Sequence, residues 1–163
     1  MIGRQVHAEL AAGRARSDAG VYRSRVVIMI ESLHSGGCLC GAVRYECGAP
    51  LIDPTYCHCV SCRRAAGAHV VAWITVARAT LRIVQGAPAH YRSSEHVTRG
   101  FCSRCGTPLT YWHDGRPNTI DVTASTLDQP QLLQPVDHIW MEDALAWDRP
   151  ADGLQQFPRG RPG

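Results

Sequence analysis

The stretch Gly37-Cys38-Leu39-Cys40-Gly41-Ala42-Val43-Arg44-Tyr45 carries two thiols two residues apart, a glycine, and then an alternating run. Thiolates at that spacing can face one point, as a tetrahedral zinc with Zn–S bonds of ~2.3 Å requires. A matching piece, Cys102-Ser103-Arg104-Cys105-Gly106, lies far downstream. Each ends in Cys-Gly, and a glycine there permits the positive-φ turn that brings backbone N–H groups toward the sulfurs. Two such knuckles commonly clasp one ion. Cys38, Cys40, Cys102 and Cys105 are therefore expected to share a structural zinc, a kind of site worth ~10–16 kcal/mol in peptide systems.

Working outward, Cys57-His58-Cys59-Val60-Ser61-Cys62 holds three more of the eight cysteines. In an extended segment Cys57 and Cys59 point to one side and His58 to the other, so His58 is expected to pack or support rather than ligate. Three thiolates leave a fourth position on zinc for water or substrate, which separates catalytic from structural zinc. Spacing alone leaves two alternatives open: an open site, or one closed by Cys47, with His69, His90 and His96 behind it. The clusters together imply two Zn2+ per chain. Zinc with three thiolates carries a net negative charge, and Arg63 and Arg64 directly after Cys62 are the cations expected to offset it.

Composition narrows the classes. The 163 residues suit one domain, and hydrophobic residues at 45% suffice for a core. No apolar run approaches the ~20 residues of a membrane helix. The net charge of +3 is carried by residues 1–30, leaving twelve arginines against twelve acidic residues in the remainder. A neutral body argues against nucleic acid as a partner. Lysine is absent, which excludes a side-chain Schiff base. Val26–Ile30 is too short for a signal-peptide core, and Cys-x-Cys bridges poorly. Metal in a reducing cytoplasm is thus favoured over disulfides.

Residues 1–30 are Ala/Gly/Arg-rich and without periodicity, and read as an extension: either an upstream start with the domain beginning near Met29, or a targeting segment. From Gly36 onward short strands alternate with turns. Strands are expected at 42–46, 69–76, 81–84, 90–92, 96–101, 109–113 and 119–122, with one helical turn over 61–66 ended by Gly67. The proline-containing tail from Gln129 reads as an ordered strap to about Phe157, followed by a flexible 158–163. Trp73, Trp112, Trp140 and Trp147 read as core or strap anchors, and Asp53, Glu95, Asp114 and Asp121 show no spacing of paired carboxylates. The expectation is a mainly β domain over 31–157, small and stapled by zinc.

The knuckle-strand at Gly37–Tyr45, Cys57-His58-Cys59-x-x-Cys62-Arg63, Gly67-Ala68, Trp73 and Phe101-Cys102-x-x-Cys105-Gly106-Thr107-x-Leu109 occur in an order that resembles one family. So do Thr126-Leu127-Asp128 and Pro135-x-x-His138-Ile139-Trp140, with Trp147 beyond. The sequence is similar to the glutathione-dependent formaldehyde-activating enzymes, a group that includes centromere protein V relatives, from about Gly36 to Phe157. The resemblance implies a β-tent-like domain of short antiparallel strands. It also implies structural zinc at Cys38, Cys40, Cys102 and Cys105, and catalytic zinc at Cys57, Cys59 and Cys62. The activity implied is carbon–sulfur lyase or synthase chemistry that joins a glutathione-like thiol to an aldehyde, formaldehyde in the type reaction.

Two other classes compete. A zinc-stapled binding module without catalysis would need a basic or apolar docking surface, which a neutral body disfavours. A thiol redox sensor would release zinc as Cys57, Cys59 and Cys62 oxidise.

Overall fold

The computed structural model describes residues 27–28 and 33–162, and all structural statements refer to these. The expected extension over 1–30 otherwise lies outside them. Among the described residues no helix is long and apolar enough to cross a membrane. The fold is mainly β with one short helix.

In chain order the strands are β1 (Val27–Ile28), β2 (Leu33–Gly37), β3 (Arg44–Gly48) and β4 (Leu51–Cys57), then helix α1 (Val60–Ala66). They continue as β5 (Val71–Ala77), β6 (Arg82–Gln85), β7 (Ala89–Ser94), β8 (Val97–Phe101), β9 (Pro108–His113) and β10 (Thr119–Thr123). β11 (Asp137–Ile139) and β12 (Gln155–Gln156) complete the chain. A large sheet runs β12-β11-β4-β5-β10-β9-β8-β7, with β1 also on β4, and a second sheet runs β2-β3-β6.

The central strands have two occupied faces, and this positions everything that follows. Period-2 alternation sends Ile74 and Val76 of β5 and Val122 of β10 toward the second sheet, where they meet Val43 and Tyr45 together with Leu51 of β4. Each is at most 2% exposed, and fully burying such side chains stabilises by roughly 1.5–3 kcal/mol apiece. The opposite parity sends Trp73, Thr75 and Asp121 to the other face, beside the middle cysteine cluster.

Seven expected strands and the helical turn are present, with ends shifted by a residue or two. β2 and β4 were not expected. β2 ends in Gly36-Gly37, and Gly36 is there because a Cβ would lie 2.3 Å from the Tyr45 hydroxyl, which is bound to Thr126 Oγ1 at 2.8 Å. β4 contains Pro54 and an irregularity between Ile52 and Thr55, where Asp53 takes φ 54°. Such a bulge re-aims a side chain within an otherwise regular pairing. The expected strap is partly strand: β11 runs parallel to β4 and β12 parallel to β11. Past Phe157 the chain stays bonded, with Trp140 N–H donating to Arg159 O and Glu142 N–H to Pro158 O.

Candidate metal centre

The two knuckles meet. Cys38, Cys40, Cys102 and Cys105 bring their sulfurs within 4.8 Å of one another. The Cys38–Cys40 and Cys40–Cys102 separations are 3.6 and 3.8 Å. A tetrahedron with ~2.3 Å Zn–S bonds has edges of ~3.8 Å, so the donor set fits zinc in both chemistry and spacing. The turns are built as the glycines demand. Gly41 and Gly106 take φ of 71° and 77°, and their N–H groups donate to Cys38 O and Cys102 O. Val43 N–H donates to Cys38 Sγ at 3.2 Å. Thr107 ties the knuckles together: its Oγ1 lies 3.2 Å from Cys105 Sγ and accepts from Leu39 N–H. Its hydroxyl and N–H bring the Cys105 thiol down to about 5, ready to ligate.

Cys57, Cys59 and Cys62 form a second group with sulfurs within 4.8 Å of one another. Cys57 ends β4, Cys59 caps α1 by accepting from Cys62 N–H at 3.3 Å, and Cys62 sits in the first turn of the helix. Gly67, at φ 63°, stops the helix after about two turns. The thiols share protons. Hydrogen bonds from Cys57 and then Cys62 pull the Cys59 thiol far down, while the same exchange with Cys59 pushes Cys57 far up. Losing all three protons requires added positive charge, which a divalent ion supplies.

The nearest guanidinium is not the one expected. Arg63 turns back, its Nε donating to His58 O. Arg99 of β8 instead reaches Cys62 Sγ at 3.7 Å and Ser61 Oγ at 3.2 Å, is 8% exposed, and lies 4.9 Å above the Tyr111 ring. It arrives through cross-strand register: Arg99 pairs with Tyr111, Tyr111 with Asp121, and Asp121 with Thr75, a row across four strands.

Among the described residues, neither Cys47 nor any histidine, His90 included, joins the group. Cys47 is wholly buried in the main core, where desolvation raises its thiol to about 11. His69 faces Asp148, and His96 faces Asp114. His58 points away, as its parity predicts. Its Nε2 lies 2.9 Å from His138 Nδ1, and His138 Nε2 lies 3.0 Å from Asp152, a buried column reaching the surface. The main chain adds to it, His58 N–H donating to Ile139 O.

All three thiols line one cavity of about 390 Å³. A second, of about 830 Å³ on the Arg99 side, touches only Cys62 among them. The first is walled by Trp73, Tyr111 and Trp140 near the sulfurs. Trp73 and Trp140, read from sequence as anchors, are thus cavity walls. Asp53, Asp121, Arg116 and Arg161 also line it, though no spacing pointed to them. Register and a bulge bring them together, and neither is written as a motif.

The family model described as glutathione-dependent formaldehyde-activating enzyme matches residues 33–143. A Halomonas elongata protein, provisionally named a glutathione-dependent formaldehyde-activating enzyme, is 30% identical over 125 residues, covering 71% of this chain and 79% of that protein. The crystal structure of a Rhodobacter sphaeroides protein is similar with TM-score 0.51 and 28% identity, over 62% of this chain and 91% of the other.

Proposed function

Since the chain belongs to the glutathione-dependent formaldehyde-activating enzyme family, we propose that it joins a glutathione-type thiol to formaldehyde or a similarly small aldehyde, reversibly, as a zinc-dependent carbon–sulfur lyase or synthase. The thiol sulfur bonds to the carbonyl carbon, and the thiol proton ends on the oxygen, giving an S-hydroxymethyl adduct. The observation that carries this reading is the contrast between two thiol sets. Four sulfurs form a set spaced for a tetrahedral ion, whereas three line a cavity of about 390 Å³.

In this reading Cys38, Cys40, Cys102 and Cys105 hold a structural zinc that pins β2–β3 to the β8–β9 turn in the β-tent-like arrangement. Cys57, Cys59 and Cys62 hold the catalytic zinc. When bound, that ion supplies Lewis acidity and stabilises thiolate at neutral pH.

The chain's own groups do the rest. Arg99 donates to Cys62 Sγ and offsets the negative charge of three sulfurs. Asp143 accepts from Val60 N–H at 3.2 Å and fixes the first turn of α1, hence the Cys59–Cys62 geometry. Trp73, Tyr111 and Trp140 exclude water from the reacting end, which strengthens these electrostatic contacts. The partners proposed are a thiol and an aldehyde, not nucleic acid.

The adduct also forms spontaneously, so the test is the exchange rate between formaldehyde and its glutathione adduct, by NMR, against buffer. Zinc-loaded wild type accelerates exchange. Cys59→Ser does not, while staying folded with one zinc. Wild type matching buffer with two zinc ions bound overturns the proposal.

A further inference from the structure

The end of the cavity remote from the cysteines is built in duplicate on neighbouring strands. On β4, Thr55 Oγ1 donates to Asp137 Oδ1 at 2.6 Å, and Asp137 is gripped by Nε and Nη2 of Arg161. On β5, Thr75 Oγ1 donates to Asp121 Oδ1 at 2.6 Å, and Asp121 accepts from Arg116 Nη2 at 3.0 Å. Each carboxylate is mostly buried, with side chains 6% and 14% exposed. Each guanidinium is thereby held in place before any ligand arrives. A guanidinium carries five N–H donors. Asp137 engages two of its nitrogens on Arg161, and Asp121 one on Arg116, so both keep donors for the cavity they line. Asp53 stands between these chains. Its positive φ at the bulge turns it into the cavity, 3.4 Å from Arg161 Nη1.

Resting on the proposed thiol–aldehyde reading, we propose that this end recognises an α-amino-acid terminus on the thiol substrate: Arg116 and Arg161 take its carboxylate, and Asp53 takes its ammonium.

Charge selects this chemistry over simpler anions. Two guanidiniums face three carboxylates here, so the end is net negative before binding. A phosphate or a lone carboxylate would meet Asp53 unfavourably. A zwitterion brings its own cation to that position. Length selects as well. Asp53 precedes Cys57 by four residues along β4, or ~13 Å at ~3.3 Å per residue. A ligand with its sulfur at the thiol cluster needs a body of peptide length to reach, since three extended residues span ~10–11 Å and the arginine side chains cover part of the remaining distance. Arg161 lies beyond residue 143, where the family match ends. The C-terminal run is therefore part of the binding site, not only a strap.

The experiment uses the zinc-loaded full chain and three thiols: glutathione, its des-amino analogue glutaryl-Cys-Gly, and 2-mercaptoethanol. The readout is the preference for each peptide over 2-mercaptoethanol, as a ratio of kcat/KM in formaldehyde exchange. Losing a charge-assisted hydrogen bond corresponds to roughly ten- to hundredfold. Arg116→Gln is expected to lower the preference for both peptides by about tenfold or more, and Arg161→Gln likewise. Asp53→Asn is expected to lower it for glutathione and not for glutaryl-Cys-Gly.

Arg161→Gln strips a partner from buried Asp137 and risks unfolding, so the substitutions at half-exposed Arg116 and at Asp53 are the decisive ones. Preferences unchanged in both, or equal losses on all three thiols, overturn the proposal. If the wild type accelerates no exchange at all, the reaction assignment fails separately. Calorimetric glutathione binding then decides the clamp: about tenfold weaker binding in Asp53→Asn upholds it, and equal binding overturns it.

Discussion

Cys47→Ala separates an open three-thiol site from a closed one, because Cys47 is the first candidate for a fourth ligand on spacing alone. In the structure it is wholly buried on β3 among Tyr45, Leu51 and Val76, outside the cluster of Cys57, Cys59 and Cys62. Replacing it removes one sulfur from a packed site. The transfer loss is close to one methylene, ~0.8 kcal/mol. A residual cavity of roughly 20 Å³ at ~24 cal/mol per Å³ adds ~0.5 kcal/mol. The sum, about 1–1.5 kcal/mol, lowers Tm by roughly 3–5 °C for a chain of this size. Zinc content is expected to stay at the two per chain of the proposed reading, since Cys47 lies outside both thiol groups. The assay is paired: thermal unfolding by circular dichroism, and zinc released by acid into a colorimetric chelator. One zinc per chain, or a Tm loss far beyond 5 °C, would make Cys47 a ligand and refute the open-site reasoning.

Two further outcomes follow from the knuckles and their neighbours. Gly41→Ala meets no atom within 4 Å, so its cost is the left-handed φ of 71° alone, about 1–2 kcal/mol; denaturant titration of the zinc-loaded protein measures it, and a neutral result would mean the turn is not needed. Arg44 and then Ser35 bind the Asp128 carboxylate and hold its pKa below the usual ~3.9. The stability it contributes is complete above about pH 4 and is lost as pH falls through the depressed native value. Asp128→Asn should flatten that limb of the acid-unfolding curve, and an unaltered curve would deny the linkage.

What the sequence makes legible is local, and what it hides is made by register. Cysteine spacing identifies both thiol groups, and the glycines after Cys40 and Cys105 mark the two knuckles, because a knuckle is closed by residues within one turn. The parity of Cys57, His58 and Cys59 correctly turns the imidazole away. β4 escapes because Pro54 and Asp53 break the alternation that marks a strand, yet the bulge they form aims Asp53. Arg99 escapes because its reach to Cys62 depends on β8 pairing with β9, while Arg63, beside the cluster in sequence, turns back to His58. Trp73 and Trp140 have the composition of a core. The second occupied face of the main sheet makes Trp73 a wall, and the left-handed turn after β11, with Trp140 at φ 61°, adds the other.

The parallel pairing of β11 with β4 has a consequence for biosynthesis. His58 and His138 touch across 80 positions of chain. At ~5–20 residues per second, the ribosome exposes the Cys57–Cys62 loop roughly 4–16 s before the strand that braces it. Through that interval the three thiols lack their His138 support and the main-chain bond to Ile139. A metal ion taken up by this loop, in the reading proposed above, would meet unbraced thiols until the last strands close, whereas the Cys38 and Cys105 knuckles are both made before the C-terminal strands.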